Sequence, residues 1–509
     1  MELARLVAAG IEGVDGYLVQ VEVSRTEPLN GVGRTTVVGL PDGAVRESVD
    51  RITPALASSG LRHNGADHLV VNLAPADRRK EGPAFDLAIA LGLAATVPDN
   101  RLPLLPTDTL FLAELALDGS LRPVRGVLSA VLAARSGGLT RAVVAPGNAA
   151  EGAVVAGMQV YAAATLSACV HLLRTGFAGA VAASPAAPVV RSGGPCLSDV
   201  RGQEQAKRAL CIAAAGNHNA LFLGPPGSGK TMLARRLPGL MPDLELDEAL
   251  DATRVHSVSG LLPQGLGLLS ERPFRSPHHS VSFAGLVGGG SGTPRPGEVS
   301  LAHHGVLFLD ELPEFKRTVL ETLRQPLEDG YISISRAGGR LRFPSRCLLV
   351  AAMNPCPCGF LGHPTRRCVD SSDEIHRYRN KISGPLLDRI DIHLEVPAQR
   401  PEILLRSEPG ETTAVVRVRV TAARQRMLAR QGMPNGSLDA RGLRTHLQAD
   451  DAAISLLQQA AEELGLSARA NDRILKVSKT IADLDGRDRV TIDDVAEGIG
   501  YRVLDRPAA

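Results

Sequence analysis

Tryptophan is absent from the 509 residues, and aromatic side chains make up only 3% of them. The cores must therefore be aliphatic, and a base-stacking platform, which needs several exposed rings, is disfavoured. Cysteine is also scarce: seven residues cannot make a disulfide framework in a chain of this length. No apolar run reaches the roughly 20 residues that a membrane helix needs. The longest is Leu87 to Val97, LAIALGLAATV. The opening stretch, MELARLVAAGIEGVDG, meets Glu and Asp too early for the apolar region of a signal peptide. No excess of one charge exists either: Lys plus Arg is 56, Asp plus Glu is 54, and the formal net charge is +2. That excludes a basic tail protein or a self-repelling acidic chain, but not arginines gathered on one surface. These absences predict a soluble, reduced, cytoplasmic protein of about three domains.

The chain divides by composition. Residues 1–175 alternate strand-like runs such as Leu69–Leu73 with helical runs such as Phe85–Ala95 and Val127–Arg135. Asp118-Gly119 is expected to turn a hairpin between Leu110–Leu117 and Ser120–Val124. Residues 176–196 are almost entirely Ala, Gly, Ser, Pro and Val, which predicts an extended, mobile linker. Residues 197–400 carry strands followed by Gly-rich turns and helices, and residues 401–509 are mostly helical. Thr491 and Asp494 form the expected start of a last helix.

The most specific signal is Gly224-Pro225-Pro226-Gly227-Ser228-Gly229-Lys230-Thr231, placed between the strand Ala220–Leu223 and a helix starting near Met232. Glycines let backbone N–H groups curl around phosphate oxygens without Cβ clashes, and the helix N-terminus adds partial positive charge. Lys230 is expected on the β- and γ-phosphates and Thr231 on Mg²⁺. Pro238 is expected to stop the helix. Val306–Leu309 is a second buried strand, ending in Asp310-Glu311. Asp310 suits the Mg²⁺ shell and Glu311 suits polarisation of the attacking water. A third strand, Cys347–Met353, ends in Asn354, a polar tip suited to orienting that water or taking up turn geometry.

Together these residues resemble AAA+ ATPases. Residues 197–397 resemble the magnesium-chelatase-like ATPase domain, and the whole arrangement resembles the YifB/ComM family of bacterial proteins. The resemblance is carried by Phe274-Arg-Ser-Pro-His-His279, by Pro296–Phe315 and by Ser383–Asp391. It implies an α/β fold: an AAA+ P-loop core with a helical lid, preceded by a degenerate Lon-protease-like (S5 domain 2-like) α+β domain. It further implies a hexameric, Mg²⁺-dependent ATPase acting as a DNA motor, a branch-migration helicase in recombination or natural transformation. Arg389 is then the arginine finger acting on a neighbouring subunit; the alternative is a salt bridge with Asp388 or Asp391. Arg469, four residues before Arg473 on one helix face, is the expected lid arginine. Asp199–Gln203 is expected near the adenine.

Tyr331–Arg336 and Arg340–Phe343 alternate with period two around a Gly tip, which predicts a β-hairpin. In the related helicases a hairpin here faces the ring pore, so Arg336, Arg340 and Arg342 would contact DNA phosphates, unless they serve only solubility. His278-His279 and His303-His304 are adjacent pairs; on a strand they would face opposite ways, so neither pair alone predicts a metal site, and a structural or phosphate-contacting role is expected for them. Cys356, Cys358 and Cys368 are candidate ligands of a structural zinc. Asp370 stands where relatives often have a further cysteine, and His363 is an alternative fourth ligand. In the first domain Gly82-Pro83 is followed by Ala84, and Ala130 falls where the resemblance would place the dyad lysine. Without nucleophile and base, proteolysis by that route is unavailable. The run Arg78-Arg79-Lys80 is expected to be a solvated surface. The remaining alternatives are a chelatase-type motor subunit in a tetrapyrrole pathway and a non-proteolytic, ATP-dependent assembly factor.

Overall fold

In β1 (Leu3–Glu12) alternate side chains enter different cores: Ala4, Leu6 and Ala8 one, Val7, Ala9 and Ile11 another. The computed structural model describes residues 3–26, 33–63, 67–184, 194–290, 293–336, 339–400, 402–403 and 408–505. β1 lies inside a seven-stranded mixed sheet. Its order is β3 (Arg34–Val38), β4 (His68–Ala74), β2 (Asp15–Thr26), β1, β5 (Thr109–Leu112), β8 (Arg141–Val144), β9 (Gln159–Ala162). The helix Asp86–Ala95 packs in one core, and the helix Val127–Ser136 packs in the other.

Three expectations change here. Asp118-Gly119 does turn a ribbon, but only β6 (Glu114–Leu115) and β7 (Leu121–Arg122) pair across it. Leu110–Leu112 instead sits between β1 and β8 in parallel register, where a fully apolar strand is buried on both faces. The start of the expected linker is docked. Phe177 packs on Tyr161 with ring centroids 4.8 Å apart, Arg141 stacks on Phe177, and Ala183 N donates to Val160 O at 2.7 Å. Residues 185–193 of that segment lie outside the described residues. Lys80 is not solvated but wholly buried, its Nζ donating to the carbonyls of Pro75 and Arg78. Arg78 and Arg79 do stay exposed, beside Glu12 and Glu81.

The second sheet is all parallel, ordered β11 (Phe274–Arg275), β14 (Val306–Leu309), β17 (Leu348–Met353), β10 (Ala220–Leu223), β18 (Ile392–Glu395). β10, β14 and β17 are buried along their whole lengths because apolar clusters lie on both faces. Two ribbons project from this layer: β12 (Gly288–Gly289) with β13 (Arg295–Pro296), and the predicted hairpin of β15 (Tyr331–Arg336) with β16 (Gly339–Pro344). The chain then enters helices Thr413–Gln431, Asp451–Leu464, Ala468–Leu484 and Ile492–Gly500, the last opened by the Thr491/Asp494 capping box.

The first domain rests on the helix Leu246–Ser259. Ser257 Oγ accepts from Gly126 N at 2.9 Å and donates to the Glu151 carboxylate, while Arg254 reaches Asp15 and Val14 O. Val14, Val255, Leu301 and Phe343 form one buried cluster. The β1–β2 turn thereby braces the base of the β15–β16 hairpin.

Candidate nucleotide-binding site

The three polar tips predicted from the sequence converge because β10, β14 and β17 are parallel, so their C-terminal ends share one edge. Thr231 Oγ1 donates to Asp310 Oδ2 at 2.7 Å, and Lys230 Nζ donates to Asn354 Oδ1 at 3.2 Å. Lys230 also donates to the carbonyls of Gly224 and Pro225 at 2.6 and 2.9 Å. Burial lowers its pKa from the ordinary lysine value, and the Asp310 and Glu311 charges oppose that shift. The loop is glycine-dependent in two ways. A Cβ on Gly224 would lie 2.1 Å from Val396 O, and Gly227 and Gly229 hold φ of +77° and +92°. Gln203 fixes the loop from the side, donating to Ser228 O at 3.3 Å and Pro397 O at 2.8 Å. Pro238 does not stop the helix; it sits in the first turn of the short helix Leu237–Leu240, where its missing N–H costs nothing.

The residues present fit a nucleotide triphosphate and its cation. The glycine cradle admits phosphate oxygens, and the buried Ser228 Oγ has no hydrogen-bond partner among the described residues. Lys230 and the loop amides would hold phosphates, and Thr231 and Asp310 would hold Mg²⁺, which supplies charge neutralisation at the γ-phosphate. Met232, the last predicted residue of this set, is partly exposed in the first helical turn. Glu311 takes φ +53°, an uncommon conformation for a residue other than glycine, and its carboxylate stands beside His279 Nδ1 at 3.6 Å.

The sequence reading expected a structural or phosphate-contacting role for His279 but did not place it beside Glu311; its signal was the Phe274–His279 run. The histidine pairs do not stand on strands. Both occupy turn or loop positions with mutually tilted rings, centroids 4.0 Å apart in His278-His279 and 3.9 Å in His303-His304. Among the described residues, His303, His304 and Asp251 come close enough to share an ion, but His303 Nδ1 already accepts from Arg346 N at 2.9 Å.

Other predicted residues lie apart from the loop. Arg389 is buried, donates to Pro385 O at 2.6 Å and pairs with Glu328. Its partner is therefore neither Asp388 nor Asp391. Asp391 pairs instead with Arg473, while Arg469 is exposed with no hydrogen-bond or ion-pair partner among the described residues. Arg236 ties Asp199 to the helical side of the loop at 3.0 Å. On the hairpin, Arg340 is exposed and Arg342 stacks over Tyr331 at 4.6 Å; the side chain of Arg336 lies outside the described residues. Cys356, Cys358 and Cys368 gather with Asp370, whereas the His363 ring accepts from Thr365 N and Arg366 N. Ala84 and Ala130 stand at a short 3₁₀ turn and inside a buried helix of the first domain. No described helix is long and apolar enough to cross a membrane.

A parallel sheet with a phosphate loop after β10, paired acids after β14 and an Asn after β17 defines a P-loop ATPase core of the AAA+ class. Residues 196–404 match the family described as magnesium chelatase, subunit ChlI. Residues 21–148 match subunit ChlI of Mg-chelatase, and residues 410–502 match the ChlI C-terminal family. The chain is 44% identical to Competence protein ComM of Haemophilus influenzae over 99% of this chain and 98% of that protein. It is 43% identical to the uncharacterized protein YifB of Escherichia coli over 97% of this chain and 96% of that one. The Magnesium-chelatase 38 kDa subunit of Rhodobacter capsulatus is 28% identical over 31% of this chain and 50% of its own length. The chain belongs to the YifB/ComM family of magnesium-chelatase-like AAA+ proteins.

Proposed function

We propose that the protein is a ring-forming, Mg²⁺-dependent ATP hydrolase that drives branch migration of DNA in recombination or competence. The observation that carries the ATPase part is the meeting of Lys230, Thr231, Asp310 and Asn354 within hydrogen-bond reach. Glu311 polarises the attacking water, and Arg389 neutralises developing charge on a neighbouring subunit's γ-phosphate. The second role requires assembly; six subunits is the number the family resemblance implies. Arg469 reaches the nucleotide from the lid. The DNA part is supported by the hairpin arginines, whose repetition around a ring suits sequence-independent phosphate contact. The printed name of the Haemophilus relative, a competence protein, agrees with it. The first domain is read as a Lon-like scaffold without its dyad that braces the hairpin through Val14 and Phe343. None of the seven cysteines is in a disulfide, in keeping with a cytoplasmic location.

The chelatase descriptions of the matched families favour a second reading, a motor subunit acting on a tetrapyrrole-pathway partner. One experiment separates the two: ATP hydrolysis with single-stranded, duplex and four-way-junction DNA, with Glu311→Gln as the contamination control. Branched DNA should raise the rate several-fold, and Arg340→Ala with Arg342→Ala should abolish the rise. A rate indifferent to every DNA would remove the DNA assignment and turn the search to tetrapyrrole and protein partners.

A further inference from the structure

We propose that Cys356, Cys358, Cys368 and Asp370 form a tetrahedral site for a thiophilic divalent cation of the zinc class, and that this ion braces the wall of the nucleotide site. The three Sγ atoms make a nearly equilateral triangle with sides of 3.4, 3.6 and 3.6 Å. Thiolates about 2.3 Å from one tetrahedral zinc stand about 3.8 Å apart, and a thiolate and a carboxylate oxygen about 3.6 Å apart. Asp370 Oδ2 lies 3.7 Å from Cys368 Sγ, so the fourth corner fits as well. A disulfide would draw two sulfurs to about 2.0 Å and leave the third aside, which is not this arrangement.

The ligands come as two ligand-x-ligand arms, Cys356-Pro-Cys358 and Cys368-Val-Asp370, and each is oriented by backbone. Leu361 N donates to Cys356 Sγ at 3.3 Å, and Cys358 N donates to Asp370 Oδ2 at 2.9 Å. Three soft sulfurs with one carboxylate favour zinc over Mg²⁺ or Ca²⁺. Apolar packing does not explain the gathering: Cys356 is buried, but none of residues 360–377, which carry the second arm, is. A metal tie supplies what burial does not.

The tie leads into the nucleotide site, and this half of the proposal rests on the nucleotide reading above. Asn354 is two residues from Cys356. Gly359, at φ +83°, lies so close to the phosphate loop that an added Cβ would come 2.7 Å from Pro226 Cδ and 3.9 Å from Asn354 Cγ. At the far end, Asp370 precedes Ser371, which caps the helix Ser372–Arg379, and Arg379 Nε returns to Pro355 O at 3.2 Å. Loss of the ion frees both arms and with them the position of Asn354 and the outer wall at Pro226.

The test uses the full chain. Metal content by mass spectrometry should be about one zinc per chain, and Co²⁺ exchange should give thiolate-to-cobalt charge-transfer absorption. Cys368→Ser should lose both signals, whereas Asp370→Cys should keep them and so report a folded site. Binding of a fluorescent ATP analogue should weaken about tenfold on chelation and return with Zn²⁺ but not with Mg²⁺. Absence of zinc together with absence of the cobalt absorption would overturn the site. An ion that binds and leaves nucleotide affinity unchanged would overturn the brace alone. Failure of every form to bind nucleotide would overturn the nucleotide reading and the brace with it, while the metal signals still report on the site.

Discussion

Two arginines one helical turn apart on Ala468–Leu484 should behave in opposite ways. Arg473 pairs with Asp391, whose carboxylate is buried, accepts from Asn219 N at 3.1 Å and has His218 within 3.4 Å. Arg469 is exposed and unpartnered among the described residues. Arg473→Ala leaves a buried carboxylate without its counter-charge, which costs about 3–5 kcal/mol for a fully enclosed pair. The Arg473 side chain is 21% exposed and the Asn219 bond survives, so the low end applies, about 3 kcal/mol. For a unit of this size that is a fall of roughly 6–12 °C in Tm. Arg469→Ala should change stability by no more than about 0.5 kcal/mol yet reduce ATP hydrolysis. The pH dependence has a definite sign. Burial pushes the Asp391 carboxyl up, but the Arg473 charge and hydrogen bonds outweigh it and hold the pKa below the ordinary 3.8. The pair therefore stabilises the fold above that ordinary value, and its contribution is lost as pH falls through the depressed one. In Arg473→Ala burial is opposed only by the Asn219 and His218 contacts, the carboxyl titrates higher than in wild type, and the deficit against wild type should be smaller at about pH 5 than at about pH 8. Scanning calorimetry at the two pH values, with hydrolysis rates alongside, decides it. Equal stability of wild type and Arg473→Ala, or a larger loss in Arg469→Ala, would refute the assignment of the two roles.

Gly224→Ala drives a Cβ into Val396 O, 2.1 Å away, and should cost about 1–3 kcal/mol and abolish binding of a fluorescent ATP analogue; unchanged binding would contradict the loop geometry. Arg389→Ala should slow hydrolysis by about 10³ or more with little change in nucleotide affinity. Loss of its bond to Pro385 O and of its pairing with the half-exposed Glu328 costs about 1–2 kcal/mol, so a folded but inactive variant is the expected result, and a wild-type rate would exclude the trans role. Burial raises the Glu151 carboxyl above its ordinary 4.5, partly offset by bonds from Ser257, Leu128 and Asn148. Its stabilisation of the interdomain contact is thus full below that ordinary value and lost as pH rises through the raised one. Hydrogen exchange at Gly126 N, corrected for intrinsic rate, should be better protected at about pH 5 than at about pH 8; the reverse order would refute this.

The sequence by itself determined the local chemistry of the candidate nucleotide site. Gly224–Thr231, Asp310-Glu311 and Asn354 each follow a short apolar strand, and a strand ending in a polar tip is a local pattern that needs no knowledge of the fold. The hairpin, the capping box and the C-terminal helices were legible for the same reason, since period and turn chemistry are local. Tertiary structure decided which groups meet. Arg389 pairs with Glu328 and Asp391 with Arg473, choices made by segments far apart in the chain. Lys80 looked like one cation in a basic surface run, yet its Nζ is buried among carbonyls because the chain folds back around it. Phe177 turned part of a featureless linker into a docked strap by finding Tyr161. Leu110–Leu112 was drawn from the hairpin into the sheet because a strand apolar on both faces is more stable buried between neighbours than on a two-stranded ribbon. Charge pairing and burial depend on long-range proximity, which composition and spacing do not encode; backbone turns and phosphate loops depend on adjacent residues, which they do.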